Sequence, residues 1–206
     1  MHYRSPTSLL LVAALSQTTS PAAAYTCTDG SPASLVDTFS VPGYAQAGGI
    51  WVCPAPAVSA LKSTLHDAGK VLGQIVSSVL DANSSAPFNL TEAPCTTYCD
   101  TPAGGGPDPN DCSYLATANA PSGTFTLPAR SSLVWTWQSC QVVQSNFLEP
   151  PQNITYDYSN ESWAGVIDYL AWNCQSEENA HGGSCDFYDS TNTFIQVLAS
   201  APQTTK

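Results

Sequence analysis

Positive charge is nearly missing from this 206-residue sequence: five Lys and Arg residues face 16 Asp and Glu, for a net charge of −11. The bases Arg4, Lys62, Lys70, Arg130 and Lys206 are scattered and form no cluster. Nucleic acids and anionic membranes are held through clustered Lys and Arg, so neither is expected as a partner. No apolar run reaches the roughly 20 residues that cross a bilayer. Catalytic signatures are absent as well: there is no G-x-S-x-G, no H-E-x-x-H, no calcium loop and no phosphate loop. Cys95 and Cys99 lack a second Cys or His pair of matching spacing, so no zinc site is expected. No cofactor is implied. Charged residues make up only 10% of the chain, which leaves a surface of mostly uncharged polar side chains.

What the sequence does contain points to export. Arg4, the apolar run Leu9–Leu15 and the small residues Ala22, Ala23 and Ala24 read as a signal peptide over 1–24. Its removal takes the charge from −11 to −12 by deleting Arg4. All eight cysteines follow it, at 27, 53, 95, 99, 112, 140, 174 and 185. An even count behind a signal reads as a disulfide framework. Four sequons, at Asn83, Asn89, Asn153 and Asn160, are candidate N-glycosylation sites. The expected localisation is secreted and extracellular, as a monomer.

Along the chain, residues 25–99 hold short strand-like pieces at Thr38–Val41 and Gly49–Cys53 and an amphipathic helical pattern over Val58–Leu80. Residues 100–110, rich in Gly and Pro, form a linker or surface loop. Residues 111–206 form a cysteine-rich module. It opens with a short helix from Asp111, capped by Asn110 or Asp111. Strands follow at Gly123–Leu127, Ser132–Val143 and Ile154–Tyr158. Alternation over Ser132–Val143, taken as one strand, puts Leu133, Trp135, Trp137 and Val143 on one face. Val134, Thr136, Cys140 and Val142 fall on the other. A helix from Ser162, capped by Ser159 or Asn160, carries Trp163, Val166, Ile167, Leu170 and Cys174 on its apolar face, and two strands close the chain. This order predicts an α+β class, an antiparallel sheet with helices on one face, stapled by disulfides. Cys112–Cys140 is the expected helix-to-strand bridge and Cys174–Cys185 a clasp around the polar turn, with the N-terminal four pairing among themselves.

Chemistry is less legible. His181 beside Cys185 suggests a thiol site, but an exported, even set of cysteines favours a disulfide. Carboxylates abound in the C-terminal half, and two on facing elements could serve glycoside hydrolysis. Asp168 stands out on its apolar helix; its plainer role is to bond a neighbouring hydroxyl or amide. Trp135 and Trp137, with Tyr156 and Tyr158, could form a stacking platform for sugars. The plainer reading makes them core, because a half-buried sheet needs large residues on one side.

Asp111-Cys112, Gly123-Thr-Phe125, Ser139-Cys140 and the helix Trp163–Cys174 resemble small secreted fungal proteins. With Cys95-Thr-Thr-Tyr-Cys99, Asn173-Cys174-Gln175 and Asn179-Ala-His-Gly-Gly183, they look like an uncharacterised cysteine-rich family of that kind. The Asp-Cys, strand-Cys and helix order is similar, more distantly, to the Hce2 domain of necrosis-inducing fungal effectors, over roughly residues 111–198. The resemblance implies an α+β extracellular effector and brings no catalytic residues. The sequence is therefore read as a secreted glycoprotein acting without catalysis at a host or cell-wall surface, its partner a glycan or a cell-surface protein. A small carbohydrate-active enzyme using paired carboxylates and a glycan-binding module using Trp135 and Trp137 are the alternatives.

Overall fold

The structure, a computed structural model, describes residues 25–54, 86–188 and 192–200. The signal peptide over 1–24, the helical pattern of Val58–Leu80 and the sequon at Asn83 lie outside the described residues. Among the described residues, ten strands and two helices follow in chain order: β1 (Ser34–Ser40), β2 (Ala47–Pro54), β3 (Phe88–Asn89), β4 (Cys95–Tyr98), α1 (Pro109–Asn119), β5 (Thr124–Leu127), β6 (Ser131–Trp137), β7 (Cys140–Asn146), β8 (Ile154–Asp157), α2 (Trp163–Asn173), β9 (Gly183–Phe187) and β10 (Thr193–Ala199). Short 3-10 turns sit at 120–122 and 176–178. No helix among the described residues is long and apolar enough to cross a membrane.

Seven strands form one sheet in the order β1-β2-β6-β7-β10-β9-β4. Every neighbouring pair is antiparallel. A three-stranded sheet, β3-β8-β5, joins β3 to β8 in parallel and β8 to β5 antiparallel. The fold is thus the expected disulfide-stapled α+β arrangement. Strands from both sides of residues 100–110 share the large sheet.

The run Ser132–Val143 is two strands, not one. Gln138 adopts a left-handed conformation at φ 51°, and the chain folds back through Gln138-Ser139, the two-residue connection that antiparallel hairpins favour. Trp135 then faces Val142, and Trp137 faces Cys140, across β6 and β7. Opposed residues share a face, so Cys140 and Val142 join Leu133, Trp135 and Trp137, while Val143 lies with Val134 and Thr136. The single-strand reading had those three β7 residues reversed, because alternation restarts at the turn.

The helices form where apolar spacing and caps coincide. Asp108, not Asn110 or Asp111, caps α1: its carboxylate accepts the Asn110 backbone N–H at 2.9 Å, and Pro109 occupies the first turn, where its missing N–H costs nothing. α2 buries Trp163, Ala164, Ile167, Leu170 and Ala171. Its cap position is Ser162 rather than Ser159 or Asn160, but the Ser162 hydroxyl makes no cap bond and instead accepts the Glu92 N–H at 3.1 Å.

One face of the large sheet carries the main core. Leu133, Trp135, Val142, Phe187, Ile195 and Val197 pack there with Cys112 and Leu115 of α1, Ile167 and Leu170 of α2, and Leu127, Ile154 and Tyr156 of the small sheet. The other face is covered lightly, by residues 25–33 with Trp51, Val134 and the Cys27–Cys53 bridge. A shallow cavity of about 210 Å³ remains there.

Four disulfides staple these layers: Cys27–Cys53, Cys95–Cys185, Cys99–Cys174 and Cys112–Cys140. Cys112–Cys140 is the bridge expected from sequence, but the Cys174–Cys185 clasp is not formed, nor do the N-terminal four pair only among themselves. Their reason is β4, which pairs antiparallel with β9 as an edge strand. It sets Cys95 near Cys185 and carries Cys99 to the end of α2. Gly183 makes room: a Cβ there would lie 3.2 Å from the Cys174 sulfur and 2.5 Å from the Tyr98 carbonyl oxygen.

Residues 100–110 are stitched down as well. Gly104 N–H donates to Glu178 O at 3.2 Å, and His181 N–H to Gly105 O at 3.1 Å. Gly106, at φ +93°, approaches so closely that a Cβ would stand 1.8 Å from the His181 carbonyl oxygen.

Candidate functional site

The residues singled out from the sequence go to different places. Trp135 and Trp137 are buried, as are Tyr156 and Tyr158. Trp135 lies against Trp163 with ring centres 4.7 Å apart and donates its indole N–H to the Tyr158 hydroxyl at 3.2 Å. Phe187 closes on Tyr156 edge-to-face at 5.4 Å. Burial raises the phenol pKa of both Tyr156 and Tyr158 far above the usual value, because ionisation there would strand a charge without water. A ring enclosed on both faces has none to offer a sugar, so these four residues are core and the platform built on Trp135 and Trp137 falls. Trp137 is instead the floor beneath two exposed rings, Tyr44 at 4.9 Å and Tyr114 at 5.7 Å.

Asp168 has a different fate. On the outward side of α2 its Oδ1 accepts the Ser113 hydroxyl of α1 at 2.7 Å. The same Ser113 oxygen accepts the indole N–H of Trp172 at 2.9 Å. Residues 168 and 172 are four apart and so share a helix face; Ser113 from the neighbouring helix ties them together. His181 meets the Trp172 ring edge-on at 6.5 Å, and its Nδ1 donates to the Ala171 carbonyl at 2.9 Å. Trp172 is nevertheless 43% exposed, Tyr169 50% and Tyr114 44%. Beyond Tyr169 an open cavity of about 380 Å³ runs between the first turns of α2 and the β4–β9 edge. Thr97, Asn160 and Glu161 line it, over the Cys95–Cys185 bridge.

Four other carboxylates are committed singly. Asp111 accepts the Ser139 hydroxyl at 2.6 Å and its N–H at 3.0 Å. Asp157 is held below the usual carboxylate range, first by the Ser159 backbone N–H and then by its hydroxyl. Asp29 is lowered by the Ser31 hydroxyl and N–H. Glu149 pairs with Arg130 at 3.1 Å, both solvent-exposed. The two cavities carry one carboxylate each, Glu161 and Asp29. No group of three metal-ligating side chains exists among the described residues.

No family model, curated protein or solved structure matches this chain. Site assignment therefore rests on geometry.

Of the sequons, Asn89 is exposed and its Oδ1 accepts the Thr91 N–H at 3.0 Å. Asn153 is half-buried, with Oδ1 on the Ala129 N–H at 3.0 Å. Asn160 is exposed at the mouth of the larger cavity. Sequence reasoning found Asp168 but missed Ser113, Tyr114, Tyr169 and Trp172. The signal was present for two of them: Tyr169 and Trp172 fall off the apolar stripe of α2, on the side a soluble helix fills with small polar residues. Ser113 could not be read, because its role depends on how the two helices meet.

Proposed function

We propose that this chain is an exported, N-glycosylated binding protein that acts without catalysis at a host or cell-wall surface, in the manner of the fungal effectors it resembles. The observation that carries this reading is the disposition of the carboxylates. Glycoside hydrolysis needs two carboxyl groups about 5–10 Å apart, flanking one bond, with one pKa raised to act as an acid. Here Asp29, Asp111, Asp157 and Asp168 each accept bonds from a serine in a different part of the molecule. Neither cavity brings two carboxylates together. Asp111 and Ser113 sit two apart on α1, positions that do not face each other, so Asp111 and Asp168 point to separate surroundings. The signal-like 1–24, the disulfides and the sequons support export.

The test is to incubate the purified, oxidised protein with cell-wall polysaccharides and ester substrates. Retention on the insoluble material with no released product is the expected result. Turnover that disappears in an Asp168→Asn or Glu161→Gln variant would replace this reading with an enzymatic one.

A further inference from the structure

Five tryptophans occur in the chain, and Trp51, Trp135, Trp137 and Trp163 are all buried. Trp172 alone stands at the surface, and it is held there from two sides. An exposed indole N–H needs no protein partner, since water serves it at little net difference in free energy. The bonds from Trp172 to Ser113 and from Ser113 to Asp168 are therefore worth little to stability, and their consequence is orientation. The buried indoles of Trp137 and Trp163, by contrast, have no hydrogen-bond partner among the described residues. Bonding is spent on the exposed ring and withheld from two enclosed ones. A ring fixed before binding loses less freedom when a ligand lies on it, which is how rigid aromatic anchors gain affinity.

We propose that Trp172, Tyr169 and Asp168 form a docking site for an uncharged polysaccharide chain, running from the Trp172 ring over Tyr169 into the cavity beside Glu161. This rests on the binding function proposed above and names its ligand class and its residues. Trp172 and Tyr169 are three apart on α2 and so adjoin on its surface. Both combine an apolar ring face with a polar tip, which matches the C–H faces and hydroxyl edges of a sugar and not an aliphatic lipid. Asp168 supplies the polar contact: Oδ1 is engaged by Ser113, and Oδ2 takes no hydrogen bond from the described residues, leaving an acceptor for a sugar hydroxyl. The cavity's 380 Å³ lies within the size range of ligand pockets.

Charge decides against the alternatives. Neither helix contains Lys or Arg, and Arg130, the one Lys or Arg among the described residues, is paired with Glu149. Glu161 lines the cavity, and Glu177 and Glu178 follow α2 in the turn before His181. Among the described residues, a sulfated, phosphorylated or uronate chain would meet carboxylates and no Lys or Arg free of a carboxylate partner.

The experiment titrates the full oxidised chain with cello-, laminari-, chito- and mannohexaose and with a sulfated glycan, reading acrylamide quenching of tryptophan fluorescence. Trp172 is the exposed fluorophore, so a bound uncharged hexasaccharide shields it, and the sulfated glycan leaves quenching unchanged. The Trp172 variants, which lack the reporting ring, are titrated by calorimetry beside the parent, and Trp172→Ala weakens binding about tenfold or more, the loss of one stacked ring. Trp172→Phe, which keeps a ring but loses the bond to Ser113, falls between. Tyr169→Ala and Asp168→Asn each weaken binding several-fold, and Tyr188→Ala, at an exposed ring outside the cavity lining, changes nothing. Thermal melts show all variants folded, because the altered side chains are at the surface. Binding that survives Trp172→Ala in a folded variant overturns this site while leaving the binding function intact. Preference for the sulfated glycan, or binding to a cell-surface protein with none of the uncharged hexasaccharides bound, overturns the ligand class. Turnover of a hexasaccharide sinks the non-catalytic reading alone, and Trp172→Ala then raises KM with the site upheld.

Discussion

On the inner side of α2, Trp163 packs against Trp135 at 4.7 Å and Tyr158 at 4.9 Å; on the outer side of the same helix, Trp172 is 43% exposed and tied to Ser113. The inner rings supply mass. They fill the space between sheet and helices, and the fold tolerates two unbonded indole N–H groups there because the packing gain exceeds the desolvation cost of about 1–3 kcal/mol each. The outer rings bury only about half of their surface, and one of them is oriented by bonds that water could have replaced. The contrast separates aromatics that hold the protein together from aromatics that are displayed by it. It also shows why residue type alone misleads: the tryptophans most conspicuous in the sequence, Trp135 and Trp137, are the inaccessible ones.

The sharpest way to break this comparison is to truncate one ring on each side. Trp135→Ala should lower unfolding free energy by about 3–5 kcal/mol, the range for emptying a buried aromatic site, whereas Trp172→Ala should lower it by about 1 kcal/mol, the usual cost of a substitution outside the core. Denaturant midpoints decide, and equal losses would erase the distinction.

A second test concerns how much buried polarity the inner side carries. Gln144, opposite Leu133 and Ile195 on the core face, is fully buried, and neither its amide nitrogen nor its oxygen is bonded to any described residue. Gln144→Leu should raise stability by about 1–2 kcal/mol by removing unpaired groups; a drop would mean that an internal water or other partner serves them.

The third separates bridges local to the chain from those joining its halves. In the chain-entropy model, Cys99–Cys174, spanning 75 residues, is worth about 4.5 kcal/mol, and Cys27–Cys53, spanning 26, about 3.5 kcal/mol. Replacing the first pair by serine should therefore cost about 1 kcal/mol more than replacing the second, and should loosen the end of α2 that carries Trp172. Oxygen-insensitive melts of the two double variants, with acrylamide quenching of Trp172, provide the readout.

The smallest effect is at the rim of the small sheet. Hydrogen bonds from Ser159 depress the Asp157 pKa, so its contribution is present above the unfolded-state value of about 3.9 and is lost as pH falls through the lower folded value. Asp157→Asn should flatten only that acid limb. A change confined to neutral pH would assign its effect to something other than ionisation.

The strands and helices were legible to the extent that each is local. The sequence pattern found α2 and pieces of β1 and β2, at Thr38–Val41 and Gly49–Cys53, without pairing them. The β6–β7 hairpin escaped because Gln138-Ser139 carries no glycine to announce a turn, and the left-handed φ falls on an ordinary residue. β4 escaped because an edge strand of four residues has a burial pattern too short to read. Asp168 was visible as a carboxylate out of place, yet its partner Ser113 was not, since the bond crosses from one helix to another.

The sequence by itself determined the class: few bases, an even set of cysteines, alternating strands and two short helices allow little else than a disulfide-stapled α+β fold. Cys112–Cys140 was reached as a guess at a helix-to-strand bridge, out of the roughly 105 pairings that eight cysteines allow. Only the tertiary structure decided that Cys95 and Cys99 reach across to Cys185 and Cys174, and that Trp135 is enclosed while Trp172 is displayed. Both depend on contacts between segments far apart in the chain, and spacing along a chain carries no record of which distant segment will pack against it.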